Sequence, residues 1–352
     1  MGVTSLLSDS YSLYLAPLDE RTLEEIGFTS DCEASMKQCQ RWLTMCVDGH
    51  PECRATNGKD VRPPKRLVDV GQVEETKIHL RTTSSESQPL SYATLSHCWG
   101  QSQHLLLTAE TYSEFSSGIA LVRLPRTFRD AVVLTRRLGI QYLWIDSMCI
   151  LQDSEQDWRE QSAIMGEVYR NSLVNIAATS AHDGDGGLFF DRKPAYLQAL
   201  QITARWPFDD HLKEEKLYNF FYNSPFCNSI LTAALNTRGW VMQERLLSPR
   251  IIHCHRNYLA WECRKVYATE EYPDGIKQWI DDGHYPEDRF LNHLEKVKMH
   301  PTTSLPEYRA EIHSTWLKII EQYSACNLTK KSDRLVAISG LAKLVQEELD
   351  DR

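Results

Sequence analysis

From about residue 90 the apolar positions switch between a period of two and a period near 3.6. Tyr92-Ala-Thr-Leu-Ser96 reads as a short strand. Pro125 then opens a helix over residues 124–138, because Phe128, Ala131, Val132, Leu134, Thr135 and Leu138 share one helical stripe. Gly139 stops it, and Tyr142-Leu-Trp-Ile145 follows as an apolar strand. Asp153 or Ser154 caps a second helix to about Tyr169, with Trp158, Ala163, Met165 and Val168 among its apolar positions. Residues 172–178 read as another buried strand. Beyond the turn Asp183-Gly-Asp-Gly-Gly187 lies a less readable insertion, about 188–235. Residues 239–247 predict a helix closed by Pro249, followed by strands over 250–255 and 258–263. This alternation predicts an α/β fold, a mostly parallel sheet flanked by helices.

The pattern divides the chain into three. Residues 1–88 form a cysteine-rich N-terminal extension ending in the polar run Arg81-Thr-Thr-Ser-Ser-Glu-Ser-Gln88, which reads as a loop. Residues 89–265 are the α/β core domain. Residues 266–352 are a charged, helical C-terminal region, with amphipathic stretches near 305–325 and 332–350.

Composition narrows the picture further. With 42% hydrophobic and 25% charged residues among 352, the chain has a globular composition. A net charge of −9 argues against a nucleic-acid partner, since non-specific affinity for phosphates comes from Lys and Arg. No stretch is long and apolar enough to predict a membrane span, and the N-terminus lacks the pattern of a secretory signal. The expected location is therefore cytoplasmic, where ten cysteines serve as thiols or metal ligands rather than disulfides.

Several ordered motifs carry a resemblance. They are Leu95-Ser-His-Cys-Trp-Gly100; Leu124-Pro-Arg-Thr-Phe-Arg-Asp130 with Leu138-Gly-Ile-Gln-Tyr-Leu-Trp-Ile-Asp-Ser-Met-Cys-Ile150; and Asp157-Trp158 with Met165, Val168, Tyr169 and Asn175-Ile-Ala-Ala178. Arg238-Gly-Trp-Val-Met-Gln-Glu-Arg-Leu-Leu-Ser-Pro-Arg250, Trp261-Glu-Cys263 and Ala337-Ile-Ser-Gly340 complete the set. Taken in order, they resemble the fungal heterokaryon incompatibility (HET) domain family, whose members act in self/non-self recognition and programmed cell death. That family is remotely similar to TIR domains of innate immunity, some of which hydrolyse NAD. The resemblance implies a TIR-like, flavodoxin-like core, NAD as substrate rather than cofactor, and a homo-oligomer or an incompatibility protein as partner.

The residues add their own argument. The TIR resemblance implies a tryptophan and, four residues later, a glutamate on one helix; Trp240 and Glu244 have that spacing, which puts them on one helical face. In open α/β sheets ligands bind outside the carboxyl ends of the strands, where Asp146 and the segment Ser96 to Gly100 would gather. Cleavage of an N-glycosidic bond passes through an oxocarbenium-like state that a positioned carboxylate stabilises. Glu244 and Asp146 are thus the candidate catalytic residues. Ser96, His97, Trp99, Ser147, Arg238, Trp240 and Arg245 are the candidate nucleotide-binding residues, the arginines for phosphates and the tryptophans for rings. The alternatives stand beside this. Arg238, Glu244 and Arg245 also suit a structural ion-pair cluster, and Asp146 suits a cap on the next turn. The chain also reads as a non-enzymatic signalling module acting by self-association or partner binding, or as an enzyme using Cys98 or Cys149 with a histidine.

Two further groups hold potential ligands. Cys46-x3-His50-x2-Cys53 has spacing suited to three ligands of a structural zinc, with Cys39 or Cys32 as the fourth; buried thiols on a helix over 34–47 are the competing reading. Asp183 and Asp185 lack the spaced set of a calcium loop and read as part of a turn.

Overall fold

The alternation of strands and helices is present in the structure, a computed structural model. It describes residues 13–17, 27–54, 63–83, 90–100, 105–192, 200–204, 216–222, 230–275 and 305–349. The first elements are β1 (Leu13–Pro17), α1 (Glu33–Gly49), β2 (Arg66–Asp69), β3 (Lys77–Thr82) and β4 (Tyr92–Ser96). Next come α2 (Tyr112–Ser117), β5 (Ile119–Ala120), α3 (Arg126–Arg137), β6 (Tyr142–Trp144), α4 (Asp146–Cys149), α5 (Glu155–Arg170) and β7 (Val174–Ala177). Then follow β8 (Leu200–Ala204), β9 (Lys216–Tyr222), α6 (Gly239–Leu247), β10 (Arg250–Cys254), β11 (Leu259–Cys263) and β12 (Tyr267–Thr269). Helices α7 (Leu305–Ser324) and α8 (Ser339–Leu349) close the described chain.

The local chemistry explains the boundaries. The Ser154 hydroxyl accepts the Asp157 N–H at 3.2 Å and caps α5 as predicted. Every residue of β4, β7, β10 and β11 is buried, including the polar Ser96, Asn175, His253 and Glu262, so these strands show no alternation of buried and exposed positions.

The main sheet has nine strands in the order β12-β11-β10-β7-β4-β6-β2-β3-β5. Its four central strands are parallel: β10 to β7, β7 to β4 and β4 to β6. Antiparallel strands extend it on both flanks, β11 and β12 on one side and β2, β3 and β5 on the other. The α/β class therefore stands, with parallel pairing confined to the centre. The flanks differ because hairpin partners need only short connections, and β2 and β3 are seven residues apart. Those two strands come from the segment assigned to the N-terminal extension, and Arg81 and Thr82 end β3 rather than begin a loop. A separate three-stranded sheet joins β1, β9 and β8, so the hard-to-read insertion also holds strands.

Helices cover both faces of the main sheet. Adjacent residues on a strand face opposite ways, and β11 shows the division. Trp261 stacks on Trp42 of α1 at 6.3 Å, while its neighbour Glu262 meets Arg245 of α6. Likewise His97 packs edge-on against Phe128 of α3 at 4.9 Å, and the preceding Ser96 turns to the side of α5 and α6. No helix among the described residues is long and apolar enough to cross a membrane.

Candidate active site

In chain order the four parallel strands lie second, first, third, fourth across the sheet. The chain thus leaves β4 toward β6 on one side and returns to β7 on the other. Connections diverge between β4 and β7, and a crevice at such a switch point is where open α/β sheets bind ligands. Asn175 of β7 bridges the divide there, donating from Nδ2 to the Ser96 Oγ at 2.9 Å.

The segment after β4 is held open by a close backbone approach. Gly100 has φ +63°, and a Cβ there would stand 2.4 Å from that of Asp183. No other residue fits this position without moving the glycine-rich turn. Asp183 is not poised for a cation. Its Oδ1 accepts the Asp185 and Gly186 N–H groups at 2.9 and 3.0 Å and closes its own turn.

Most of the predicted residues converge on this edge. Asp146 opens the one-turn helix α4 directly after β6. Its Oδ2 accepts the Trp99 Nε1–H at 2.8 Å, its Oδ1 accepts the Ser147 N–H at 2.7 Å, and His97 Nδ1 lies 3.8 Å from Oδ1. Asp146 thus stands at the first position of α4, binds the next N–H and ties Trp99 to the site. The Trp99 and His97 rings stack with centroids 6.4 Å apart, and the Trp99 ring is partly exposed. Arg238, immediately before α6, donates from Nη1 to the His97 carbonyl. The backbone there is clamped, since Gly239 N donates to the Asn327 carbonyl at 2.8 Å.

Glu244 projects from α6 into this cluster and is 4% exposed. Burial pushes its carboxyl up to about 7, against the opposing pull of the Ser96 hydroxyl, the Arg238 charge and the Tyr169 hydroxyl; Asp146 adds to the rise. Its Oε2 is sealed from solvent and has no hydrogen-bond partner, and the same holds for the Ser147 Oγ. Unmatched buried polar atoms are costly, and they concentrate where a ligand or reaction gives them a partner.

Other predicted residues lie elsewhere. Arg245, one position on from Glu244, turns to Glu262 of β11 at 3.0 Å, and Glu262 also meets His253 Nε2 at 2.8 Å. The structure therefore does not bring Arg245 to the Glu244 cluster, because 100° of helical turn separates the two side chains. Trp240 is partly buried against the main core. Cys98 packs with Ala177, Leu235, Val241 and Ile251, and burial raises its pKa. Cys149 is fully buried and pushed up to about 12. Neither thiol has the lowered pKa of a nucleophile.

Two residues were not assigned a role by sequence: Asn175 and Tyr169. The signal for Asn175 was present, as a lone amide inside a strand predicted to be buried. Tyr169, whose OH donates to the Leu95 carbonyl at 3.2 Å, belongs to the motif that carries the resemblance, but only the fold places it beside Glu244.

A second cluster lies on the α1 side of the sheet. One ligand atom each from Cys46, His50, Cys53 and Cys263 fall within 4.8 Å of one another, a set compatible with a structural zinc. The fourth member is Cys263 of β11, not Cys39 or Cys32. Cys32 instead lies 3.0 Å from the Ser35 hydroxyl, and Cys39 is buried near Cys254. Seven-residue steps put Cys39 about two turns and Cys32 about four turns from Cys46, whereas β11 passes beside the helix end.

The fold and the strand-edge carboxylates define an α/β protein of flavodoxin-like strand order with a buried acidic site at its switch point. Residues 92–244 match the family model described as Heterokaryon incompatibility protein (HET). Comparison with curated proteins and with solved structures gave no match. The matched segment runs from the first residue of β4 to Glu244 itself.

Proposed function

We propose that the chain is an incompatibility and cell-death effector that cleaves NAD or a related nucleotide at its N-glycosidic bond. The observation that carries this reading is Glu244, a buried carboxyl with an unmatched oxygen at the switch point of the sheet. In the reaction the bond between the ribose anomeric carbon and the nicotinamide nitrogen breaks. Nicotinamide leaves with the electron pair and becomes neutral. The Glu244 carboxylate faces the positive charge that develops on the ribose, then accepts a proton from the water that captures it. Products are nicotinamide, ADP-ribose and a proton. Arg238 supplies positive charge for a phosphate, and the partly exposed Trp99 offers a ring face to a base. Asp146 positions Trp99 and His97.

Nicotinamide release from NAD by the purified full chain tests the proposal directly. Glu244→Gln is expected to lower the rate by about 10²–10³-fold, the usual cost of removing one electrostatic stabiliser. Absence of release even from concentrated or assembled wild-type protein would sink the enzymatic reading.

One observation favours a non-enzymatic signalling module, acting by self-association or by binding an incompatibility partner. Both Asp146 oxygens are already engaged by the chain itself, as in a network that only holds a fold. If Glu244→Gln keeps cell-death output on expression while changes at an exposed surface abolish it, that second reading wins.

A further inference from the structure

We infer that Cys46, His50, Cys53 and Cys263 bind one zinc ion as a closed, structural Cys3His site that joins the end of α1 to the end of β11. Three observations carry the inference, and none depends on the switch-point chemistry.

The first is geometry. Zinc holds sulfur at about 2.3 Å and nitrogen at about 2.0–2.1 Å, which sets tetrahedral ligands some 3.5–4 Å apart. The four ligand atoms all fall within 4.8 Å, with His50 Nδ1 and Cys263 Sγ at 3.5 Å. Cys46 lies in the last turn of α1, His50 follows that helix, and Cys53 ends a short 3₁₀ turn behind it. Local structure thus presents three ligands on one side, and Cys263 completes the tetrahedron from more than two hundred residues away.

The second is what surrounds the sulfurs. The buried Arg250 guanidinium donates from Nε to the Cys46 Sγ at 3.2 Å, and the Val266 N–H donates to the Cys263 Sγ at 3.3 Å. Neutral thiols give a buried guanidinium no counter-charge. Three thiolates and a histidine around a divalent ion carry one net negative charge, which Arg250 balances.

The third is closure. All three cysteines are fully buried and all four positions are protein ligands, so no site is left open for water or substrate. The ion would serve stability rather than catalysis. It would fasten α1, with the Trp42–Trp261 stack beside it, onto the flank of the sheet that carries β11. Sequence alone hid the fourth ligand because nothing local marks Cys263 as a partner of α1.

Metal analysis of the full chain purified without chelator is expected to find one zinc per molecule. Exchange with cobalt(II) is expected to give a tetrahedral spectrum with thiolate-to-cobalt charge transfer. Cys263→Ser should lower zinc content and thermal stability. If that variant fails to fold, His50→Ala, which removes the one partly exposed ligand, should still shift the cobalt spectrum and weaken retention against chelator. A wild-type chain free of metal that gives no thiolate–cobalt band, or a disulfide between any two of these cysteines, would overturn the site. Nicotinamide release plays no part in these readouts, so the zinc site and the proposed activity fail independently.

Discussion

Replacing Glu244 by glutamine keeps the side chain's shape and removes a charge that burial disfavours. The carboxyl moves from an ordinary 4.5 to about 7 on folding, so between those values the native state binds the more protons. This group's contribution to stability therefore falls as pH rises through that window and remains unfavourable above it. Glu244→Gln is expected to raise stability by about 1–3 kcal/mol at pH 8, with a smaller gain near pH 5. Denaturant melts of the two proteins at both pH values check this, and equal stability at pH 8 would contradict it. Glu271 shifts in the same direction but is common to both proteins, so it cancels in the comparison. The proposed activity has a matching profile. The ionised form does the work, so the rate is expected to climb with pH and level off above about 7. Asp157 presents the reverse case. Burial opposes its ionisation, but Lys65, the Leu151 N–H and Arg66 together hold its carboxyl below the ordinary range. Its Oδ2 meets the buried Arg66 and its Oδ1 meets Lys65 at 2.9 Å. Asp157→Ala leaves Arg66 buried without that counter-charge and is expected to cost about 3–5 kcal/mol in denaturant melts. Lys65→Met, at a half-exposed position, should cost less than about 1 kcal/mol.

At the scale of elements, the helix carrying Glu244 depends on a close crossing behind it. A Cβ on Gly340 of α8 would stand 3.1 Å from the Gly166 Cα of α5 and 2.9 Å from the Gln243 Oε1 of α6. The Gly340 N–H donates to that same Oε1 at 3.3 Å, so α8 braces α6 one residue before Glu244. Gly340→Ala is expected to push these helices apart and destabilise the protein by about 1–3 kcal/mol, whereas Gly49→Ala, with nothing within 4 Å, should be nearly neutral. Thermal melts of the two variants separate the outcomes; a Gly340→Ala protein as stable as wild type would show that the crossing relaxes freely. Elements of this central kind were legible because their patterns are local. The strand at 92–96 and the helix at 239–247 match the observed β4 and α6 residue for residue, and Ser154 caps α5 as its position predicts. Strands β2 and β3 escaped notice because β2 enters the sheet by pairing with β6, a partner about seventy residues on, and β3 joins through β2. Within the site, Glu244 and Asp146 stood out as carboxylates at a helix face and a strand end. Arg245 was misplaced because adjacent helix positions diverge, and only the presence of Glu262 decides where it points.

The whole molecule is larger than the segment that matches the HET family model. Residues 92–244 contain β4, β6 and β7 of the central parallel set but end before β10, whose Ile251, Ile252 and His253 pair with β7. They also omit β2, which pairs with β6 on the other flank. A fragment of 92–244 would therefore expose the backbone edges of both β6 and β7, with buried residues such as Leu143 and Ile176 beside them. It would lose the α8 brace on α6, the Arg245–Glu262 pair and every side chain that covers the α1 face near Trp261. Open apolar edges of this kind favour association over a unique fold. We expect the 92–244 fragment to aggregate or to unfold without a cooperative transition, whereas a chain spanning 27–349 unfolds cooperatively. Near-ultraviolet circular dichroism reports the packing of the buried Trp144 in both, and urea melts report cooperativity. A monomeric, cooperatively folding 92–244 fragment would show that the matched segment is self-sufficient and that the flanking strands are additions to it. The opposite result would mean that Glu244 reaches its raised pKa only in the complete sheet, since α6, which carries it, is braced through Gln243 by α8 beyond the match. The acidic site would then be a property of the assembled nine-stranded fold rather than of the motif.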